Sequence, residues 1–184
     1  MPPRGVIFDL DGVIVDSSMF HFGAWQHWAR KIGIIEEVDE AWFREHHGKR
    51  NDAIITATLG PLPETELEAH AVRKEEYYRK LARGKLEPLP GVAKFVEALR
   101  RDEWRLAIGT STPRGNLEMV LAEMPFGDAF AAAACGDEVP RGKPAPDVFL
   151  RAAELLERNT MFGLRRGEFE AQRRYSRRSA PNAA

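Results

Sequence analysis

The stretch Gly5-Val6-Ile7-Phe8-Asp9-Leu10-Asp11-Gly12 decides how the rest of the chain is read. Four residues rich in strand formers run straight into two acids and a glycine, the pattern of a buried strand ending in a tight turn. In an extended backbone, residues two apart face the same side, so Asp9 and Asp11 are expected to point together. Two carboxylates in such a place repel each other and are costly to desolvate, so a cation, a basic side chain or a raised pKa must offset the cost. An Asp-Gly pair also caps turns. Taken alone, the two acids leave chemistry and turn geometry both open.

Working outward, residues 17–35 place Phe20, Gly23, Ala24, Trp28 and Ile32 near helical spacing behind a Ser-Ser start suited to capping. The pattern stays helical over about 36–84, broken by Gly60-Pro61-Leu62-Pro63. Val92, Phe95, Val96 and Leu99 then form a helix face leading to a second strand at 105–109. A turn at 110–115, a helix near 116–123, an Ala-rich strand near 130–135 and a helix from about 146 to 157 follow. Strand alternating with helix is the signature of a parallel α/β sheet. The all-helical middle interrupts that series straight after the first strand and reads as an inserted cap. The expected division is a core of residues 1–16 and 86–158, a helical cap at 17–85, and a basic tail at 159–184 that is disordered or poorly packed.

Composition narrows the function classes. With 184 residues, 43% hydrophobic, 30% charged and a formal net charge of -1, the chain fits an ordinary soluble domain with an insertion. Near-neutral charge removes attraction to nucleic acid or anionic membrane as a leading idea. No apolar run approaches the roughly 20 residues that span a bilayer, and Met1 to Gly5 does not open a signal peptide, so a cytoplasmic location is expected. Cys135 stands alone, which excludes an intramolecular disulfide and a cysteine zinc cluster. Flanked by small residues, it reads as a buried core position rather than a nucleophile. The charge is uneven: Arg158, Arg165, Arg166, Arg173, Arg174, Arg177 and Arg178 face only Glu168 and Glu170 near the C-terminus.

Two further features tilt the first loop toward chemistry. Thr110-Ser111-Thr112 closes the second strand just before a helix, where hydroxyls and free backbone N–H groups can hold phosphate oxygens. Lys143, in Arg141-Gly142-Lys143-Pro144-Ala145-Pro146, precedes another helix and can balance phosphate and carboxylate charge. All of these lie at the carboxyl ends of strands or in the following loops, where open α/β sheets bind ligands.

Asp9-Leu10-Asp11-Gly12-Val13-Ile14-Val15-Asp16-Ser17, Thr110-Ser111 and Gly142-Lys143-Pro144-Ala145-Pro146-Asp147 together resemble the first three motifs of the haloacid dehalogenase (HAD) superfamily. His21-Phe22-Gly23-Ala24-Trp25 and Gly48-Lys49-Arg50-Asn51-Asp52 are similar to the helical cap of its β-phosphoglucomutase and sugar-phosphate phosphatase group. The resemblance implies a Rossmann-like parallel sheet with an inserted cap and a Mg²⁺-dependent phosphoryl transfer on a small phosphorylated metabolite. It implies Asp9 as the nucleophile that becomes an aspartyl-phosphate and binds Mg²⁺. Asp11 matches the general acid/base, its backbone carbonyl facing the metal. Thr110, Ser111 and Lys143 match the groups that hold the transferring phosphate. In the cap, His21, Trp25, Arg50 and Lys74 match positions that meet the substrate or shape the closed cleft. Simpler readings stand beside these: Trp25 as packing, His21 as lining the cap interface, and Lys74, within a charged run, as a solvated helix face. Arg50 offers a guanidinium fork to a second phosphate or a sugar's polar edge. His46 and His47 are placed near the cleft mouth.

The C-terminal end departs from the family. A fourth motif, an apolar strand ending in a pair of acids, is replaced by Met161-Phe162-Gly163-Leu164-Arg165-Arg166-Gly167-Glu168-Phe169-Glu170. An Arg pair does not suit a parallel strand covered on both faces. Glu168 and Glu170 are the remaining candidates for a further metal ligand. In the family's strand order the missing strand lies beside the first, so the strand carrying Asp9 is expected at a sheet edge, with the core incomplete at that side. The expected activity is hydrolysis of a sugar phosphate or another small phosphate ester. A phosphomutase is the alternative within the family, and a phosphate-ligand binding protein lacking the fourth motif is the alternative of another class. The Arg-rich end carries no recognised nucleic-acid motif, so no nucleic-acid partner is expected; oligomeric state is left open.

Overall fold

The computed structural model describes residues 4–35 and 38–161. The elements run β1 (Gly5–Phe8), α1 (Ser18–Ile32), α2 (Glu40–His46), α3 (Asn51–Leu59), α4 (Glu64–Ala82), α5 (Val92–Arg101), β2 (Arg105–Gly109), α6 (Arg114–Glu123), β3 (Phe130–Ala134) and α7 (Asp147–Met161). The strands form one parallel sheet in the order β1-β2-β3, with Val6 beside Leu106 and Ile108 beside Ala133. This is the expected Rossmann-like arrangement with a helical cap inserted between β1 and α5. Among the described residues β1 pairs with β2 alone and lies at one end of the sheet. Of β1, Gly5 is exposed and only Phe8 is buried, whereas four of the five β2 residues are buried. The acids at 168 and 170 and the basic tail lie outside the described residues, apart from the backbone of α7 as far as Met161.

Strand periodicity divides the core into two unlike faces. Leu106 and Ile108 of β2 join Phe8 and Phe130 against Val96 of α5 and Leu117, Val120 and Leu121 of α6. The opposite face is built from small residues, Ala107, Ala132 and Ala134, against Val148, Ala152 and Leu156 of α7. Small residues let α7 approach closely: a Cβ at Gly109 would lie 2.8 Å from the Phe149 ring. Phe130 and Ala132 have the same parity yet serve opposite faces. The cause is a register irregularity between Leu106 and Ala107, which pair with Phe130 and Ala132 respectively. One extra residue on a strand reverses which side its neighbours face.

The cap has its own core. Trp25, Trp28 and Ala29 of α1 are buried with Val38 and with Ile54 and Ile55 of α3. Trp25 meets Trp28 and Trp42 edge to face at 5.2 and 5.7 Å between centroids. α1 and α3 both lie on α4, and α3 ends before Gly60, where φ is 82°, as the Gly-Pro break predicts. The capping expectation for α1 is corrected. Ser17 occupies the N-cap position without a side-chain cap bond; its hydroxyl bonds Asp11 instead, and Asp16 Oδ1 accepts from Ser18 N at 3.1 Å. Among the described residues, no helix is long and apolar enough to cross a membrane.

Candidate functional site

The loop after β1 is folded tightly on itself. The Leu10 carbonyl accepts from the amides of Val13, Ile14 and Val15, and Gly12 N donates to Val15 O at 2.8 Å. Gly12 takes φ 77°, a conformation that Gly adopts without a Cβ penalty. With Leu10 fully buried as an anchor, Asp9 and Asp11 are held on either side of it. Asp9 Oδ1 accepts from Leu10 N at 2.8 Å, and Asp9 Oδ2 is ion-paired with Lys143. The Lys143 ammonium also lies 5.0 Å from the Phe149 ring centre, within cation–π range.

Asp11 is held from three sides. Ser17 donates to Oδ1, Thr112 Oγ1 donates to Oδ2 at 2.5 Å, and His21 Nε2 stands 3.7 Å from Oδ1. Burial alone would raise the Asp11 pKa. The N–H edge that His21 turns toward it, with the Ser17 and Thr112 hydroxyls, outweighs burial and holds it well below the usual carboxylate range. At neutral pH Asp11 is therefore a carboxylate with its lone pairs directed.

The expectation that Lys74 lies on a solvated helix face is overturned. Lys74 is 2% exposed and its ammonium meets His21 Nδ1 at 2.9 Å and Glu75 Oε1 at 2.8 Å, with the Trp25 ring centre 4.9 Å away. The charged run from Arg73 to Arg79 is polar in composition, but one side of α4 turns inward between α1 and the core. His21 is buried at the cap interface, stacked on Tyr78 at 4.0 Å. Because an ammonium only donates, His21 Nδ1 accepts from it. In the neutral ring the proton then sits on Nε2, the nitrogen facing Asp11.

A cleft enclosing about 430 Å³ of space continuous with solvent lies between cap and core. The core contributes Asp11, Ser111 and Thr112, and the cap contributes His21, Trp25 and Lys74 deep inside, with His47, Lys49 and Asn51 also on its wall. Trp25 thus serves packing and lining together. Thr110 is buried, and its Oγ1 accepts from Thr112 N at 3.1 Å. Arg50 does not line this cleft. Its fork closes on Asp52 at 2.8 and 3.1 Å, and Nη1 donates to Val139 O at 2.8 Å, fastening the α2–α3 loop to the core. His46 is turned away, stacked on Trp42, whereas His47 reaches the cleft. Burial, with Lys74 and His21 nearby, lowers the His47 pKa despite Asp11 and Asp16. Cys135 is buried as expected, and burial pushes its thiol up to about 12.

Sequence reasoning read Thr112 only as one of the hydroxyls at the end of β2 and Asn51 only as part of the cap segment 48–52, and it missed Glu75 and Asn116, which nothing local marked. Glu75 Oε1 accepts from Asn51 Nδ2 at 2.8 Å, and Oε2 accepts from Asn116 Nδ2 at 2.5 Å. The donors the resemblance names for a metal, the Asp9 carboxylate and the Asp11 main-chain carbonyl, are both oxygens. A hard cation that keeps several waters suits such a set. The cluster Cys135, Asp137 and Glu138 is a poorer candidate, since Arg114 already grips both Glu138 oxygens at 2.7 Å.

A three-layered parallel α/β core, with two acids at the carboxyl end of its first strand and a helical cap over them, defines a capped α/β enzyme of the hydrolase type. Residues 3–163 match the model of the haloacid dehalogenase-like hydrolases, and the chain belongs to that family. Within it, the chain is similar to protein CbbY of Rhodobacter capsulatus, 32% identical over 85% of this chain and 73% of the relative. It is similar also to β-phosphoglucomutase of Bacillus subtilis, 30% identical over 84% of this chain and 70% of the relative. The crystal structure of CbbY from Rhodobacter sphaeroides shares the fold, with a TM-score of 0.73 and 24% identity over 84% of this chain and 73% of that one. The chain therefore falls in the phosphatase and phosphomutase group of the family.

Proposed function

We propose that the protein is a Mg²⁺-dependent phosphatase acting on a small phosphate ester, a sugar phosphate by class, through a phosphorylated Asp9. The observation that carries this reading is the division of labour between the two acids. Asp9 is the more open acid, 31% exposed with Lys143 on one oxygen, and Asp11, 17% exposed, sits under the cap in a directed set of hydrogen bonds. An Asp9 oxygen attacks phosphorus, the ester P–O bond breaks, and the leaving oxygen takes a proton. Asp11 supplies that proton, which it takes up from solvent as substrate binds: a phosphate dianion beside it opposes the effect of His21, Ser17 and Thr112 and raises its proton affinity. In the second half Asp11 takes a proton from water, whose oxygen attacks the phosphorus of phospho-Asp9 and releases phosphate. Lys143, with Thr110 and Ser111 at the end of β2, neutralises charge on the transferring oxygens, where phosphoryl transfer gains most of its rate. Mg²⁺, held by the Asp9 carboxylate and the Asp11 carbonyl, would add positive charge beside those same oxygens. Lys49 and His47 on the cap wall face the part of the substrate that is not transferred.

The test is phosphate release from fructose 1-phosphate, β-glucose 1-phosphate and p-nitrophenyl phosphate, with Mg²⁺ and with a chelator, beside the Asp9→Asn variant. Turnover that needs both Mg²⁺ and Asp9 supports the reading. Conversion of β-glucose 1-phosphate to the 6-phosphate without net phosphate release would replace it with a phosphomutase, and binding without any turnover would replace it with a ligand-binding protein.

A further inference from the structure

The cap touches the catalytic loop through His21, and the same group of side chains continues to a second contact with the core. Glu75, 5% exposed, divides its two oxygens between the domains. Oε1 faces the cap, accepting from Lys74 Nζ and Asn51 Nδ2, both at 2.8 Å. Oε2 faces the core and accepts from Asn116 Nδ2 on α6 at 2.5 Å. The far end of the Asn116 amide is also occupied: its Oδ1 accepts from Arg79 Nη1 at 2.8 Å. Glu75 and Arg79 are four apart on α4, so they lie on one side of that helix and grip a single core amide by both its polar atoms. Asn116 is fully buried, so neither end can be satisfied by water instead.

On the reading given under the proposed function, the geometry points to Glu75 as a positioning residue. It holds the Lys74 ammonium against His21 Nδ1 and, through Asn116, registers that pair on the core beside Asp11. Stability alone does not account for this arrangement. A buried ion pair returns little over a well-packed apolar pair of the same volume, because both charges must be desolvated. An apolar contact between α4 and α6 would join the domains as firmly. What an apolar contact lacks is a donor aimed at His21 Nδ1, which keeps the ring proton on the nitrogen facing Asp11. Glu75 is the only anion bonded to that donor among the described residues, and its own orientation is set by Asn51 on one side and Asn116 on the other. Seating of the cap and the tautomer of His21 are thereby one event.

Two readouts test this. In protein labelled with ¹⁵N at histidine, with His21 assigned by its loss in His21→Gln, the wild type is expected to show an unprotonated Nδ1 and a protonated Nε2. In Glu75→Gln and in Asn116→Ala that signature is expected to give way to a mixture of tautomers. With p-nitrophenyl phosphate, kcat should fall roughly 10–100-fold with a smaller change in KM, the scale of a displacement of about 1 Å at a reacting group. Glu75→Asp, which keeps the charge, should recover part of both losses. Where Glu75→Gln does not fold, Arg79→Gln loosens the same clamp from its half-buried end and carries the same expectations. An unchanged His21 signature in folded variants, or a lowered melting temperature with kcat intact, overturns the proposal. A wild type that turns over none of the esters, yet whose His21 signature responds to Asn116→Ala, overturns the phosphatase reading and leaves the positioning role standing.

Discussion

Asp9 and Asp11 are two residues apart on one loop, yet the walls around them differ. On the Asp11 wall the carboxylate is 17% exposed and meets two hydroxyls and an imidazole, and that imidazole is backed by Lys74, Glu75 and Asn116. On the Asp9 wall the carboxylate is 31% exposed and meets one ammonium and one backbone amide, at the end of a strand that is itself half-covered. A nucleophile has to reach phosphorus, so it must be open and lightly held. A group that gives and takes protons gains from being directed and shielded. The cap supplies that shielding to one acid and leaves the other open.

The largest effect is expected where the open wall is broken. Asp9→Asn should bring phosphate release to background while the melting temperature stays near the wild type's, because the change keeps the shape and removes only the nucleophilic charge. Turnover that survives would assign the chemistry elsewhere. On the shielded wall, Asp11→Asn should lower kcat by about 10²–10⁴-fold, the range of a lost general acid/base; a loss below tenfold would make the two walls equivalent. Lys143→Ala should cost about 10²–10³-fold, the scale of one electrostatic group aimed at the transition state. That loss should appear in steady-state kcat with Asp11 variants and wild type alike.

Acid unfolding sharpens the comparison. Burial would raise the Glu75 pKa, but the Lys74 charge and hydrogen bond, with His21 and Asn51, bring it to about 2 from an ordinary value of 4.5. A carboxyl lowered in the folded state binds fewer protons there than in the unfolded chain, so its contribution is complete above about pH 4.5 and is lost as pH falls toward 2. The stability gap between wild type and Glu75→Gln, about 3–5 kcal/mol for one partner removed from a buried pair, should hold steady above pH 4.5 and close below it. Denaturant midpoints across pH 2–7 measure this; a gap that widens in acid would contradict the sign. The smallest effect is expected at Gly142, where a Cβ would come within 2.6 Å of Arg50 Cδ. The Arg50 stem can shift, so Gly142→Ala should cost about 0.5–1.5 kcal/mol, the value of the Arg50–Val139 bond. It should leave kcat near the wild type's, since Arg50 stands outside the cleft.

How much of this was legible in the sequence depended on the range of the interaction. The strands at 5–8 and 105–109 and the break at Gly60 were readable because periodicity and turn residues act over a few neighbours. The expected edge position of β1 turns on residues 162–170, which lie outside the described residues. The solvated-face reading of Lys74 failed because a run of seven charged and tyrosine-bearing positions looks alike whether or not one side of the helix is covered. Arg50 was read for its fork, and the fork is present, but Asp52 and a core carbonyl occupy it.

The sequence by itself determined the element order, the paired acids at the end of the first strand, and the phosphate-holding residue types at the ends of the later ones. Each is a statement about adjacent residues and the backbone geometry they favour. Only the tertiary structure decided which groups those acids meet. Thr112 reaches Asp11 across 101 residues, Lys143 reaches Asp9 across 134, and Asn116 reaches Glu75 across 41. Contacts across such separations leave no periodic trace in the chain, because they are set by where the sheet and the cap bring distant turns together.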